Sequence, residues 1–194
     1  MKHILVTSIA FLMSLGTVKS QHINIGIKGG LNAFSIATDN TTTNDTKLSY
    51  NLGLLGHIHL SRQWAFQPEL VYSVQGTSYK SGGVDSKLNL NYLNIPLNIQ
   101  YMFDNGFRLQ AGPQIGILTG ANLKSGSSST DVKSSFKGTD IGLTLGISYV
   151  QPSTGMGIDG RYNHGLTNIN AANSTNSFNR GVQLTLFYLF GHKS

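Results

Sequence analysis

The sequence contains no cysteine, which excludes a disulfide framework, a cysteine-ligated metal site and a lipid anchor on an N-terminal cysteine. Charged residues make up only 11% of the chain, well below the share of about a quarter that is typical of soluble domains. Glycine, with 23 residues, and many Asn, Ser and Thr side chains stand in their place. This composition favours many strands joined by turns over helices. The net charge of +6 is small and dispersed, so it does not indicate a nucleic-acid partner.

The sequence also lacks any apolar run of the ~20 residues that a membrane-spanning helix needs. Met1–Ser20 has a basic start, a mostly apolar stretch over Ile4–Leu15 and Val18-Lys19-Ser20 at its end, as a secretory signal does. We therefore predict a removed signal peptide over 1–20 and one mature domain over 21–194. If this domain lies in a membrane, it must span it as a barrel, because only a closed ring of strands satisfies its own backbone there.

Apolar side chains at every second position dominate the mature chain. In Trp64–Gly76 the apolar set includes Trp64, Leu70 and Val74, whereas the alternate set is mostly polar and contains Glu69. This period of two predicts strands with one apolar and one polar face. The same alternation predicts eight strands, over Ile23–Phe34, Tyr50–Leu60, Trp64–Gly76, Leu88–Phe103, Phe107–Leu118, Asp140–Val150, Met156–Leu166 and Arg180–Phe190.

The connections between these strands alternate strictly in length. Turns of three to five residues follow every second strand, and the predicted loops between them are long and polar, at residues 35–49, 77–87, 119–137 and 167–179. Outer-membrane barrels have short periplasmic turns, long outer loops and aromatic girdles. We therefore predict an all-β fold, an eight-stranded antiparallel up-and-down transmembrane β-barrel in the outer membrane of a Gram-negative bacterium. The predicted interfacial anchors are Trp64, Tyr101, Tyr149, Tyr162, Tyr188 and Phe190.

Two local features depart from the regular pattern. Leu88, Leu90 and Tyr92 are out of phase with the rest of their strand, and we predict a bulge near Tyr92–Leu93, because one extra residue reverses the facing of all later side chains. Prolines also lie inside strands, where they lack a ladder N–H, and we predict a bulge at each of Pro68, Pro96 and Pro113.

The polar face of the strands predicts a filled lumen. It consists mainly of Gly, Asn, Gln, Thr and Ser, which suit a narrow hydrogen-bonded interior better than a water-facing surface. The few charges on this face must pair, because an unpaired buried charge is costly. We predict a structural charge network centred on Glu69, with the members Glu69, Arg161, Arg108, Lys28 and Asp159. The alternative is a secreted soluble barrel with the opposite polarity that binds an apolar ligand.

Catalytic and metal sites find little support in the residues. A lipid-modifying hydrolase would need a nucleophile, a histidine and an acid together, and His164 has the candidate neighbours Ser73, Asp140 and Asp159 without any spacing that groups them. His57 and His59 share a strand face but lack an evident third metal ligand. We therefore predict no catalytic residue, no cofactor and no metal, and we keep the hydrolase as an alternative.

Several motifs together resemble the PorT-like family of outer-membrane β-barrel proteins. They are Gly26–Asn32 (GIKGGLN), Phe66–Ser73 (FQPELVYS), Tyr92–Leu97 (YLNIPL), Leu109–Gln114 (LQAGPQ) and Gly160–Tyr162 (GRY) followed by Gly165-Leu166. The resemblance implies an outer-membrane barrel and no particular reaction. We expect a structural, adhesive or envelope-accessory role, with outer-membrane lipid as a partner and envelope proteins or glycans as candidates for the four loops.

Overall fold

The structure is a computed structural model that describes residues 23–39, 45–81, 84–172 and 175–191. The predicted signal peptide over 1–20 lies outside the described residues. Among them, no helix is long and apolar enough to cross a membrane. The strands are β1 Ile23–Thr38, β2 Asp45–His59, β3 Trp64–Ser81, β4 Val84–Met102, β5 Phe107–Ser125, β6 Ser128–Asp131, β7 Thr139–Val150, β8 Met156–Gly165 and β9 Ser177–Leu189, with a 3-10 turn at Lys133–Ser135.

Eight of these strands form a closed ring. Each ring strand pairs with the next one along the chain, and β1 closes the ring by pairing with β9. All the pairs are antiparallel, and the closing register runs from Gly26 opposite Leu189 to Thr38 opposite Ser177. The short β6 lies outside the ring and folds back onto the end of β5. The predicted eight-stranded antiparallel up-and-down barrel is confirmed.

The apolar set of side chains faces outward. In β9, Val182, Leu184 and Leu186 are 53%, 56% and 65% exposed, whereas Gln183 and Thr185 between them are buried. A water-soluble barrel has the opposite polarity, with its apolar side chains inside. The outer surface is therefore an apolar band of the kind that contacts lipid, and the soluble apolar-ligand barrel is not supported.

Aromatic rings surround the end of the barrel that carries the turns at 60–63, 103–106 and 151–155, which we call the short-turn end. The ring contacts there, with centroid distances of 5.2, 5.1 and 5.1 Å, are Trp64–Tyr101, Phe107–Tyr149 and Tyr188–Phe190. Tyr162 differs from the other predicted anchors, because it faces outward nearer the opposite end, beside His164. That opposite end we call the loop end.

The strands at the loop end are longer than predicted. β1 continues to Thr38 and β2 begins at Asp45, while β3 reaches Ser81 and β4 begins at Val84. The predicted loops 35–49 and 77–87 are therefore mostly strand, and this part of the prediction was wrong. A strand that continues beyond a hydrocarbon layer keeps its ladder but no longer needs apolar outward side chains. The alternation signal thus stops before the strand does.

The predicted bulge in β4 was also wrong. β4 keeps a single phase, and the register shift lies on β5, where Asn91 pairs with Gly120 and Tyr92 with Leu118, leaving Thr119 as the extra residue. The out-of-phase Leu88, Leu90 and Tyr92 consequently face inward, and Leu90 and Tyr92 are fully buried. These apolar side chains belong to an apolar cluster inside the loop end, so the strand does not have to turn them to the outer face.

The prolines do not mark bulges either. The β2–β3 register stops at Leu55 opposite Glu69 and resumes at Ile58 opposite Phe66 without a shift, and Pro68 faces this gap. On its other side Pro68 pairs in register with Leu97. Pro96 and Pro113 repeat the arrangement, each paired with the following strand and facing a gap in the ladder towards the preceding one. One missing N–H thus interrupts one side of the ladder locally, and the register survives it.

The lumen is filled by side chains in three layers. The first, near the short-turn end, is an apolar cluster of Leu55, Val150, Phe187 and Leu189. The second is a polar and charged layer in the middle of the barrel. The third, near the loop end, is an apolar cluster of Ile36, Leu90, Tyr92, Leu118, Ala121 and Ile169. An eight-stranded ring is just wide enough for side chains to fill it, which is how this lumen is used.

Candidate functional site

The middle layer of the lumen contains a compact charge cluster centred on Glu69. Arg161 donates to both carboxylate oxygens of Glu69, from Nη1 to Oε2 at 3.0 Å and from Nη2 to Oε1 at 2.9 Å. Lys28 Nζ donates to Oε2 at 3.0 Å. All three side chains are almost fully shielded from solvent. The two-pronged Arg–carboxylate contact is the strong, directional form of such a pair.

A second carboxylate balances the charge of the cluster. Arg161 Nε lies 3.1 Å from Asp159 Oδ1 and its Nη2 lies 3.0 Å from Oδ2. Gln67 donates to Glu69 Oε1 at 2.7 Å, and Gln110 hydrogen-bonds to both Asp159 and Arg161. Two cations and two carboxylates therefore share one hydrogen-bonded layer, which is the condition under which buried charges are tolerated.

Small residues on the neighbouring strands give the long cations their space. Lys28 pairs across the ladder with Gly53, and Arg161 pairs with Gly146. A Cβ at Gly146 would lie 2.7 Å from the carbonyl oxygen of Gly160 and 3.2 Å from the Cα of Arg161. Any larger side chain at Gly146 would therefore displace the strand that carries the arginine.

Arg108 was predicted in this network but lies apart from it. It faces inward and is 3% exposed, yet it forms no ion pair with a carboxylate of any described residue, and its Nη1 has no hydrogen-bond partner among them. Its ladder partners are Met102 and Ser148, which place it nearer to the short-turn end than Gln110. The structure thus brings together four of the five predicted residues, Glu69, Arg161, Lys28 and Asp159.

His164 and its candidate catalytic neighbours do not converge. The Tyr162 hydroxyl lies 3.2 Å from His164 Nδ1. Ser73 instead contacts Asn32, and Asp159 belongs to the charge cluster. The carboxylate of Asp140 accepts hydrogen bonds from Thr167 and Asn179.

The two histidines of β2 contact each other. The rings of His57 and His59 pack edge to face at 4.7 Å between centroids. Within the described ranges, no third His, Cys, Asp or Glu joins them as a possible metal ligand.

At the loop end, two connections are tied into one ordered cover over the barrel, which we call the lid (residues 132–137 and 168–171). Phe136 bridges to Asn170, Lys137 N donates to Ile169 O at 2.8 Å, and Ala171 N donates to Ser135 O at 3.1 Å. The Ile169 side chain is fully buried in the loop-end apolar cluster. This insertion anchors the lid to the interior of the ring.

A cleft of about 290 Å³ lies between the lid and the barrel wall. We call it the mouth cleft. Its lining residues are Ile36 and Thr38 of β1, Thr77 and Tyr79 of β3, Leu88 of β4, Ser177 of β9, and Ser135, Phe136 and Asn170 of the lid. None of these described lining residues is charged. The cleft combines hydroxyl and amide groups with aliphatic and aromatic surface, as small-molecule sites commonly do.

The mouth cleft was not predicted, although the sequence contained a signal for it. Leu88, Leu90 and Tyr92 break the alternation of β4, and Ile169 is an isolated large apolar residue in an Asn-rich segment. Apolar residues on the inward phase at the loop end indicate a covered mouth. Which segment covers the mouth depends on long-range contacts, and the period-two alternation of the sequence does not predict these contacts.

The family comparison places the chain among bacterial barrels. The family model described as "Outer membrane protein beta-barrel domain" matches residues 19–171. No curated protein matches the sequence.

Solved structures are similar in fold across almost their whole length. Ail, the attachment invasion locus protein of Yersinia pestis, is 13% identical with a TM-score of 0.54, and the match covers 86% of this chain and 98% of that chain. A second Ail structure, in complex with the heparin analogue sucrose octasulfate, gives 14% identity and a TM-score of 0.53, and covers 87% and 99%. Neisserial surface protein A gives 15% identity and a TM-score of 0.50, and covers 84% and 96%. At these identities the likeness shows the fold alone.

Proposed function

The chain belongs to the outer membrane protein beta-barrel domain family, and we propose that it acts there as a surface binding protein that holds a ligand at its mouth. It is an integral β-barrel protein of the bacterial outer membrane. Long connections of such barrels face the outside of the cell, and short turns face the periplasm. The lid and the mouth cleft accordingly face the cell exterior.

The mouth cleft is the observation that carries this proposal. Its two walls come from different parts of the chain, and the lid is fixed by Ile169 before any ligand arrives. A binding site that is already ordered loses less conformational entropy when it takes up its ligand. The strand bounds leave residues 39–44 between β1 and β2 and residues 82–83 between β3 and β4, fewer than in the predicted loops 35–49 and 77–87.

We propose further that the protein is neither an enzyme nor a channel. The charge cluster satisfies its own members, and apolar layers cover it on both sides. A group that served as acid, base or nucleophile would have to reach a substrate. This supports a structural role for Glu69, Arg161, Lys28 and Asp159, which hold opposite sides of the ring together.

Adhesive contact with an extracellular partner is the form of binding that we favour. Outer-membrane lipid is the general partner of the apolar band. The Yersinia pestis barrel of similar fold is named for attachment and has been captured with a heparin analogue. For the present chain we propose that envelope glycans or proteins meet the lid and the surrounding connections.

We also propose that the chain lies within the PorT-like group of such barrels. Two of its PorT-like motifs, Phe66–Ser73 and Gly160–Tyr162, contribute Glu69 and Arg161 to the same ion pair. This contact supplies a physical reason for the two motifs to occur together. A comparison of residues 21–190 with PorT-like sequences, scored at these two positions, would test the assignment.

The mature protein in lipid nanodiscs, screened against immobilised envelope polysaccharides and extracellular matrix proteins, tests the binding function. We expect Ile169→Asp to lower binding at least about tenfold, because a carboxylate in the apolar cluster releases the lid. Ala171→Asp is the matched control, because it adds the same charge to an exposed position of the lid. Heat-modifiable migration on a gel verifies that both barrels are folded. Equal binding by wild type and a folded Ile169→Asp barrel would contradict the proposal.

A further inference from the structure

We propose that the mouth cleft binds a single neutral pyranose unit of a glycan. This inference rests on the proposed binding function and specifies the ligand class of the same site. It follows from three properties of the cleft: its size, the absence of charge among its described lining residues, and the placement of three hydroxyl groups that bond to no other described residue.

The size of the cleft limits the ligand to one ring. Pockets for small molecules span about 300–1,000 Å³, and the mouth cleft, at about 290 Å³, lies at the bottom of that range. A folded peptide or a long acyl chain would not fit. One terminal or side-branch sugar would, with the rest of the glycan outside the mouth.

The chemistry of the lining favours a neutral polyhydroxyl ligand. A sulfated or phosphorylated group would call for Arg or Lys, and no charged side chain is found among the described residues of the lining. A wholly apolar ligand would cover the hydroxyl groups of Ser135, Ser177 and Tyr79 without offering them a hydrogen-bond partner, which is costly. A pyranose has hydroxyls at its edge and C–H groups on its faces, so it matches both kinds of surface.

Two aromatic rings in the cleft can pack against the faces of the sugar. Phe136 belongs to the lid and Tyr79 to β3, so each wall of the cleft contributes one ring. Aromatic rings offer a large apolar surface at little entropic cost, and tyrosine adds a hydroxyl. Leu88 and Ile36 contribute aliphatic surface.

Three hydroxyl groups in the cleft have no hydrogen-bond partner among the described residues. The side chains of Ser135, Ser177 and Tyr79 form no hydrogen bond with any other described residue. Ser177 is 8% exposed and lines the cleft, so its hydroxyl is available to a ligand that occupies the cleft.

Calorimetric titration of the mature protein in nanodiscs tests the inference. The probes are neutral oligosaccharides ending in glucose, galactose or N-acetylglucosamine, with a sulfated oligosaccharide for comparison. We expect a neutral probe to bind more tightly than the sulfated one. Ser177→Ala and Tyr79→Phe should each weaken binding about threefold to tenfold, the range for one lost hydrogen bond. Ser129→Ala, an exposed position on β6, is the control and should have no effect.

The outcomes separate the two proposals. If neutral sugars fail to bind while another ligand still binds in an Ile169-dependent manner, the sugar inference is overturned and mouth binding stands. If neutral sugars bind but Ser177→Ala and Tyr79→Phe change nothing, the sugar does not occupy the cleft and the inference is equally overturned. If no ligand depends on Ile169, the binding function itself fails. Purified bacterial envelope polysaccharide and host-type glycans, used as separate probes, identify the source of the sugar.

Discussion

Replacing Glu69 by glutamine removes one of the two carboxylates that balance the cations of the lumen. The Glu69 carboxylate accepts from Lys28 at 3.0 Å, from Arg161 at 3.0 and 2.9 Å, and from Gln67 at 2.7 Å. A glutamine keeps one acceptor oxygen and turns an NH₂ group towards donors. Arg161 and Lys28 would then share Asp159 alone. Removing one partner of a buried ion pair costs about 3–5 kcal/mol, and we expect a loss of about 3–4 kcal/mol for Glu69→Gln.

Urea unfolding of the barrel refolded into lipid vesicles measures this loss. Trp64 is the only tryptophan of the chain and lies on the outer face at the short-turn end, so its fluorescence reports whether the barrel is inserted. Asp85→Asn is the matched control, because it breaks the exposed Lys80–Asp85 pair, 3.6 Å apart, which we expect to cost less than about 1 kcal/mol. A Glu69→Gln barrel within about 1 kcal/mol of wild type would refute the reasoning.

A second substitution separates charge balance from packing. Lys28→Met in the Glu69→Gln background removes the surplus cation and leaves Arg161 facing Asp159. We expect the double variant to recover about 1–2 kcal/mol relative to Glu69→Gln, because side chains in one network couple by amounts of that order. A double variant that is less stable than Glu69→Gln would mean that lost packing, and not excess charge, causes the defect.

Two further predictions concern residues outside the cluster. Arg108→Met should leave stability unchanged or raise it by about 1–4 kcal/mol in the same urea assay, because it replaces a buried guanidinium whose Nη1 lacks a described partner; a clear loss of stability would mean that Arg108 has a partner that matters. His164→Ala should leave the lipid profile of outer membranes unchanged by mass spectrometry, because His164 contacts Tyr162 and is not grouped with a nucleophile and an acid; a change in acylation or headgroup would support the hydrolase alternative.

The facing of the strand residues was predictable from the sequence, and their height along the barrel axis was not. Period-two alternation put Glu69, Arg161, Lys28, Asp159 and Arg108 on one face, and all five side chains do point inward. Whether two inward residues meet depends on the register of strands far apart in the chain. Glu69 and Arg161 are 92 residues apart and bond directly, whereas Arg108 lies too near the short-turn end to join them.

The errors in the predicted strands have a common cause. The prediction took the alternation of apolar and polar residues as the mark of a whole strand. The alternation marks only the part of a strand that has an apolar surface on one side and a polar one on the other. Beyond the apolar band, β3 and β4 continue as polar ladders that no hydrophobic period marks. Where the interior becomes apolar, Leu88 and Leu90 of β4 face inward without any bulge. The extra residue, Thr119, lies on β5, in a segment that the sequence pattern assigned to a loop.

The layering of the lumen separates stability from recognition. The charge cluster joins β1, β3 and β8 across the ring, and its members bond to one another, so substitutions there act on the whole barrel. The mouth cleft lies beyond the loop-end apolar cluster, and the side chains of Ser135, Ser177 and Tyr79 in its lining form no hydrogen bond with another described residue. Residues that are satisfied by the fold maintain it, while residues that the fold leaves unsatisfied are available to a ligand. The apolar cluster between them holds the lid to the wall. Ile169 has its side chain buried in that cluster, and its backbone N–H donates to Ser177 O of the cleft lining at 2.9 Å. For this reason Ile169 is the position that decides whether the mouth can bind.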